Sequence, residues 1–391
     1  MKGSVIGAAL IIAGTAIGAG MLAIPLVAGS LGFVSVSILF FICWGTTQIA
    51  AFLLLHVNMA YQERTNLGTM SRHLLGKTGN SITWVVYLLL LYSVLAAYMT
   101  GGATLLGHTL SQFFEIDLPS IVNALLFTVI FGSIIYVGTR SVDYVNRTLL
   151  TLKLGAFFFM VTLLLPHIRL EALAPRATEP IHFVFAMPVL ITSFAYQMVI
   201  PNLRDYFHSN VKKIKKALWI GGTIPLVVYF LWVSVVFGLL PALTPQDDLA
   251  TMVTLLEKRV KIHFLSLIVN FFTDVAVTTS FLGVSMSLFH FIQDGCNLNH
   301  KGFKDKAIAS LITFVPPLCF AWVYPKGFLM ALSFAGIFVV GLFILIPLWM
   351  GLKMIKRKKE SLFSFKLHWT GFALLLLVSL SVIFSQIWVR I

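Results

Sequence analysis

Charge is scarce in this chain of 391 residues: Asp, Glu, Lys and Arg together make up 11% of it. With 59% hydrophobic residues and a mean hydropathy of +0.94, it has too little polar surface to cover a water-soluble core. Cysteine is scarce as well. Cys43, Cys296 and Cys319 form no CxxC pair and no metal-ligand spacing. Cys43 and Cys319 lie in apolar runs, where cysteine behaves as a small buried hydrophobe. HExxH, DxxD and GxSxG motifs are lacking, as are clustered histidines, which removes the usual constellations of a membrane-embedded enzyme. Segments of ~10 residues that alternate apolar and polar are also missing, which excludes a transmembrane barrel. A channel would want a pore lined by rings of charge or a carbonyl filter, and interrupted helices in this chain do not suggest one.

What the chain has is long apolar runs. They fall at about 4–28, 33–58, 82–110, 119–137, 143–166, 183–206, 216–240, 262–293, 306–323, 327–354 and 368–389. A helix of ~20 apolar residues crosses the ~30 Å hydrocarbon core. The fold class expected is therefore an all-α polytopic membrane protein with eleven transmembrane helices. The eighth run is long enough to tilt or project. Lys2 followed by an apolar run has the outline of a signal peptide, but this run is expected to be retained as the first helix.

The net charge of +14 raises the question of a nucleic-acid partner, and the placement of the charge answers it. With eleven crossings and a cytoplasmic N-terminus, 21 of the 28 Lys and Arg residues fall on the cytoplasmic side and 7 on the other. That is the positive-inside bias, so the charge reports topology. It implies a cytoplasmic N-terminus, a periplasmic C-terminus, a lipid bilayer as partner and no nucleic acid. The runs KKIKK and KMIKRKK read as anchors at anionic headgroups. In the loop 243–261, Leu249, Met252, Val253, Leu256 and Val260 recur at three- and four-residue spacing. This amphipathic helix is either an external gate or a passive interfacial element.

The first run contains IAGTAIGAGMLAIP, residues 12–25, with Gly14, Gly18, Gly20, Thr15 and Pro25 in the middle of a membrane helix. The sixth, FAMPVLITSFAYQMVIPNLRDY, has Thr192, Ser193, Ala195 and Gln197 between Pro188 and Pro201. The two interrupted segments lie five helices apart. An odd interval inverts one half relative to the other, and paired breaks of this kind point to a transporter site near the midplane. Unpaired backbone groups are not tolerated facing lipid, so a break must be satisfied by protein, water or ligand. Half-helix N-termini offer N–H groups and partial positive charge to an anion, and half-helix C-termini suit an ammonium. A zwitterion fits both. The candidate substrate-binding stretch is thus Ala13, Gly14, Thr15, Ala16, Ile17, Gly18, Ala19 and Gly20, with the N–H groups from Ala16 to Gly20 on a carboxylate. Carbonyls near Ala13 and from Ser193, Phe194 and Ala195 would take the ammonium. GTAIG also fits a small-residue helix-packing motif. GAGMLA fits a dinucleotide fingerprint, but no acidic residue follows between Leu31 and His56.

With both breaks in view, the chain resembles the hydroxy/aromatic amino acid permease family of bacteria. The resemblance covers nearly the whole chain and rests on AGTAIGAGMLAIP, NLGTMSRHLLG, YVGTRSVDYVNR, TSFAYQMVIPNLRDY, FTDVAVTTSFLGVSMSLF and ITFVPPLCFAWVYPKGFLMALSFAG. It implies a leucine-transporter-type fold: a five-plus-five inverted repeat, residues 1–166 and 183–354, with an eleventh helix at 368–389. It implies uptake of an aromatic amino acid, tyrosine first, across the bacterial inner membrane, with no cofactor and the proton gradient as driving force. Sodium coupling and a broader neutral amino acid range are the alternatives within the class. SFAYQ stands where the family more often has SFGFHG, so Tyr196 and Gln197 are expected to reshape the pocket.

Two ionisable residues lie deep in apolar runs. Lys153 is ten residues from Asp143, or ~15 Å along a helix, and Asp274 is twelve from Ile262, or ~18 Å. A charge at the bilayer centre costs at least ~2.5–3.5 kcal/mol, which makes both functional candidates. A lysine held there can load and release a proton; alternatively it snorkels to the interface. The resemblance implies that Lys153 stands in for a cation between segments one, five and eight, with Thr279 and Ser280 as partners. Asp274 is left between pairing with Lys153, relaying a proton and capping polar groups. His56, His108 and His290 lie near segment ends and read as interfacial. Tyr92 and Tyr98 flank Ala96 and Ala97, which would leave room for a ring. Phe194, Tyr196 and Phe334 are the candidate aromatic walls among 34 Phe, 10 Tyr and 8 Trp.

Overall fold

The computed structural model describes residues 4–61, 65–176, 178–240, 243, 247–260, 263–298, 302–356 and 369–388. The basic residues beyond Lys356 and the C-terminal Arg390 lie outside them. Among the described residues the regular structure is entirely helical. The helices are α1 (Val5–Ala16), α2 (Gly20–Ala28), α3 (Gly32–Met59), α4 (Leu67–Phe114), α5 (Ser120–Val137), α6 (Thr139–Leu164), α7 (Pro180–Ser193) and α8 (Ile200–Tyr206). They continue with α9 (Val211–Leu239), α10 (Leu249–Val260), α11 (His263–Gly295), α12 (Phe303–Val323), α13 (Phe328–Val340), α14 (Ile346–Lys356) and α15 (Trp369–Trp388).

Local chemistry sets several of these ends. The Ser4, Asn66 and Asn210 side chains accept from the N–H groups of Gly7, Thr69 and Lys213, which caps α1, α4 and α9. Pro180 and Pro201 sit in the first turns of α7 and α8, where the missing N–H costs nothing. Gly76, at φ 78°, bends the start of α4 away from its long membrane portion. Gly341–Leu345, between α13 and α14, winds as a π-helix, a feature the apolar pattern of segment ten does not announce.

Nine of the described helices or helix runs are long and apolar enough to cross a membrane. The pair α1 and α2 passes together as a tenth, bent by 51°. The remaining run is apolar only over Thr151–His167, because the start of α6 carries Arg140, Asp143 and Arg147. Both anticipated breaks are present. Helix is interrupted at residues 17–19 and again at 194–199. Pro25 lies inside α2.

The packing pairs come in matched sets. α1 packs on α9 as α3 packs on α7, and α6 packs on α11 as α4 packs on α13. α4 meets α5 as α11 meets α12. α2 on α7, α3 on α9, α4 on α11 and α5 on α12 join equivalent segments of two five-segment halves. α15 packs outside this arrangement, on α3, α7 and α13. Close approach relies on small residues. A Cβ at Gly221 would lie 2.7 Å from the Ala9 carbonyl oxygen, and one at Gly336 would lie 2.6 Å from that of Pro188. Residue 4 marks one face of the bundle, the N-side, and the opposite face is the far side.

Candidate functional site

The first break is built from α1 outward. The N–H of Ile17 reaches the carbonyl of Ala13 at 2.8 Å and that of Gly18 the carbonyl of Ala16 at 2.9 Å. The chain then leaves the helix, and the Ala19 N–H is taken by Ser280 Oγ of α11 at 2.9 Å. Gly18 and Gly20 are required by close contact. A Cβ on Gly18 would stand 2.8 Å from Ser280 Oγ, and one on Gly20 would stand 2.8 Å from Ser193 Oγ. Three of the N–H groups expected to await a carboxylate thus have protein partners.

The second break lies directly against the first. Tyr229 of α9, fully buried, sets its hydroxyl 2.7 Å from both the Ala16 and the Ser193 carbonyl oxygens, with one proton shared between the two helix ends. Ser193 Oγ donates back to Val189. Phe194 is buried edge-on against Phe40 and Tyr229. Gln197 is fully buried; its side chain accepts from the Tyr196 N–H at 3.0 Å and donates to the Thr47 carbonyl at 3.2 Å. Tyr196 is also buried, and a Cβ on Gly222 of α9 would lie 2.9 Å from its hydroxyl. The two residues that depart from the family pattern therefore seal the break against α3 and α9. Beyond it, the Arg204 guanidinium donates to the carbonyls of Asn58 and Tyr61 at the end of α3, and the Tyr206 hydroxyl accepts from the Ser4 N–H.

Lys153 is 3% exposed. Its Nζ donates to the Ile17 carbonyl at 2.9 Å and to Thr279 Oγ1 at 3.3 Å. The ammonium thus joins the end of α1 to α11, and its reach does not extend to the interface. Ser280 faces the Ala19 N–H instead. Asp274 is not brought to Lys153; its carboxylate accepts from Thr109 of α4 at 3.2 Å. It belongs to a polar cluster on the far side. There Glu257 of α10 accepts from Asn270 at 2.6 Å and from Gln112 at 3.2 Å, and His108 meets Thr254 at 3.0 Å. Leu249, Met252, Val253 and Leu256 are buried, so α10 is docked over the bundle by its apolar stripe. Leu249 and Phe328 close over Gly101.

On the N-side of the breaks runs a cavity of about 660 Å³, within the range of small-molecule sites. Gly14, Thr15, Gly18, Tyr98, Lys153 and Ser280 line its inner end. A second cavity of about 460 Å³ adjoins it through Tyr87, Met198 and Asn202 and leads to the N-side ends of α4 and α11. Tyr92 and Phe334 are not part of it. They line a separate pocket between α4, α12 and α13, where the Tyr92 hydroxyl donates to the Ile312 carbonyl at 2.7 Å. Tyr229, Met198, Asn202 and Gly283 were not marked by sequence reasoning. A tyrosine inside VVYFLW, a polar atom in mid-membrane, was the available signal for the first.

The fold that carries this geometry matches a solved structure. A solved structure of Mhp1, a nucleobase-cation-symport-1 family transporter in a closed conformation with bromovinylhydantoin bound, superposes with a TM-score of 0.64 at 15% identity. The match covers 98% of this chain and 91% of that one, and it shows the leucine-transporter-like fold. The chain is 36% identical to tyrosine-specific transport system 1 of Haemophilus influenzae, over 85% of this chain and 83% of that one. It is 29% identical to a tryptophan-specific transport protein of Pseudomonas aeruginosa, over 96% and 92%. It is 32% identical to glutamine transporter 2 of Aliivibrio fischeri, over 92% and 91%. These relatives are transport proteins of bacteria, and the apolar helices make this a multi-pass membrane protein. From residue 1 to 389 the chain matches the family model of the tryptophan/tyrosine permeases, and it belongs to that family.

Proposed function

We propose that the protein is a proton-coupled symporter that imports an aromatic amino acid, tyrosine by preference, across the bacterial inner membrane. In this reading the N-terminus is cytoplasmic, the C-terminus periplasmic, and eleven segments cross the bilayer as repeats 1–166 and 183–354 plus the helix at 368–389. No cofactor is needed. The cavity then opens to the cytoplasm while α10 covers the periplasmic side, which makes this conformation inward-facing.

The observation that carries the coupling is the Lys153 ammonium, 2.9 Å from the Ile17 carbonyl at the first break and 3.3 Å from Thr279 on α11. A charged lysine pins the broken helix to α11. A neutral one loses about half of that attraction, because hydrogen bonds from an ion are about twice as strong as neutral ones. Proton release therefore frees α1 and α2 to move against α11, and the rocking of one group of helices against the other alternates access. The substrate carboxylate would meet the break near Gly18, Ala19 and Ser280, with Gly14, Thr15 and Tyr98 beside it. Uptake into proteoliposomes under imposed proton or sodium gradients, with a panel of labelled amino acids, tests this. Accumulation that follows sodium at zero pH gradient would remove proton coupling. The relative named as a glutamine transporter favours a second reading, a neutral amino acid carrier of wider range; glutamine as the best substrate in the panel would establish it.

A further inference from the structure

We propose that the substrate side chain lies along α11 over Gly283, and that the Asn202 amide at the cavity's N-side end binds the para-hydroxyl of tyrosine. This rests on the aromatic amino acid reading and adds the residues that choose among side chains. The cavity has a polar inner end at Gly18, Lys153 and Ser280 and apolar walls from Ile11, Leu91, Met198 and Val284. Asn202 and Ser287 bring polar atoms back at its outer end.

Gly283 is the unexplained residue in this wall. Glycine weakens a helix interior relative to alanine, so it needs a reason. At Gly18, Gly20 and Gly221 the reason is a neighbour within 3 Å of any Cβ. At Gly283 a Cβ would meet nothing within 4 Å, and the residue is exposed to the cavity. The missing side chain therefore serves space: it leaves a flat strip of helix backbone on which a ring can lie. Ser280, Gly283 and Ser287 share one face of α11. From Ser280 to Ser287 is ~10.5 Å along the axis, a length comparable to that of an extended tyrosine from carboxylate to hydroxyl. Alanine or serine would leave most of it unfilled. Ser287 spends its proton on the Gly283 carbonyl, at 2.9 Å. The Asn202 side chain lines the cavity and has no hydrogen-bond partner among the described residues.

The test is counterflow in proteoliposomes of the full chain, with tyrosine, phenylalanine, tryptophan, glutamine and alanine, for the parent and the variants Gly283→Ala, Gly283→Leu and Asn202→Leu. Counterflow needs no ion gradient, so it does not depend on which ion gradient drives accumulation. Gly283→Leu is expected to raise KM for all three aromatic substrates at least tenfold while alanine competes as well as or better than in the parent; Gly283→Ala gives a smaller change in the same direction. Asn202→Leu is expected to raise KM for tyrosine about tenfold, one hydrogen bond, and to leave phenylalanine unchanged. A Gly283→Leu protein with parental KM for the aromatics overturns the placement of the ring. Equal losses for tyrosine and phenylalanine in Asn202→Leu overturn the hydroxyl contact. If Gly283→Leu fails to fold, the Gly283→Ala series decides the ring placement. A parent that carries no aromatic substrate overturns the functional reading instead, and the hydroxyl contact with it. In that case the effect of Gly283→Leu on the substrate it does carry decides whether side chains lie over α11.

Discussion

Replacing Lys153 by methionine keeps most of the length of the side chain and removes its charge. Among the described residues Lys153 Nζ has two partners, the Ile17 carbonyl and the Thr279 hydroxyl, and both are neutral. In the proposed coupling, this one lysine would carry one proton per substrate. One pH unit corresponds to ~1.36 kcal/mol, a factor of about ten. Parent proteoliposomes with an interior one pH unit more alkaline and no membrane potential should therefore accumulate a neutral zwitterion about tenfold. Lys153→Met should equilibrate it and stop near onefold. Folding is expected to survive. The Ile17 carbonyl loses its donor at a cost of ~1–3 kcal/mol, but a buried charge and its desolvation are removed as well. Counterflow at zero gradient checks this separately and should persist in the variant. Tenfold accumulation by Lys153→Met would refute the coupling argument. Loss of counterflow together with accumulation would make Lys153 a structural tie rather than the proton carrier.

Three further outcomes follow from the geometry. Tyr229→Phe takes away the one donor shared by the Ala16 and Ser193 carbonyls; a loss of ~1–3 kcal/mol should lower the thermal unfolding midpoint in detergent by several degrees. Gly20→Ala places a Cβ 2.8 Å from Ser193 Oγ, so transport should fall sharply, and adding Ser193→Ala should restore part of it in the same uptake assay. Glu257→Ala removes the acceptor for Asn270 and Gln112 beneath α10. Hydrogen bonds to a charged group are worth ~1.5–3 kcal/mol, so a cysteine introduced at Thr104 on the far side, in a chain without its native cysteines, should be labelled at least tenfold faster by a membrane-impermeant thiol reagent.

The apolar runs made the helices legible, because membrane length and hydropathy constrain them so strongly. The breaks were legible from clustering: small and polar residues and prolines gather in the middle of two apolar runs, around residues 17–19 and 194–199. Side-chain direction was not legible. Tyr196 and Gln197 sit in the break, yet their side chains point to Gly222 and Thr47, and nothing in SFAYQ gives the rotation of a segment that is not helical. Tyr92 and Phe334 have the right depth but turn toward α12, since a helix buried on several sides has no hydrophobic periodicity to give its facing. Gly283 was hidden by abundance: in a chain with 28 glycines, only the surroundings separate one that makes room from those that permit contact.

Ser280 already occupies the Ala19 N–H, at 2.9 Å, while its own proton goes to Ala276. In the proposed site, the hydroxyl is therefore a placeholder in the position a carboxylate would seek. An arriving substrate does not gain that hydrogen bond outright; it gains only the difference between an ionic acceptor and a serine oxygen. Departure is eased by the same amount, since the serine returns as the substrate leaves and no buried N–H is stranded. For a carrier this trade favours turnover over affinity. It also means that sharpening the site, by deleting the Ser280 hydroxyl, would slow release as it tightened binding.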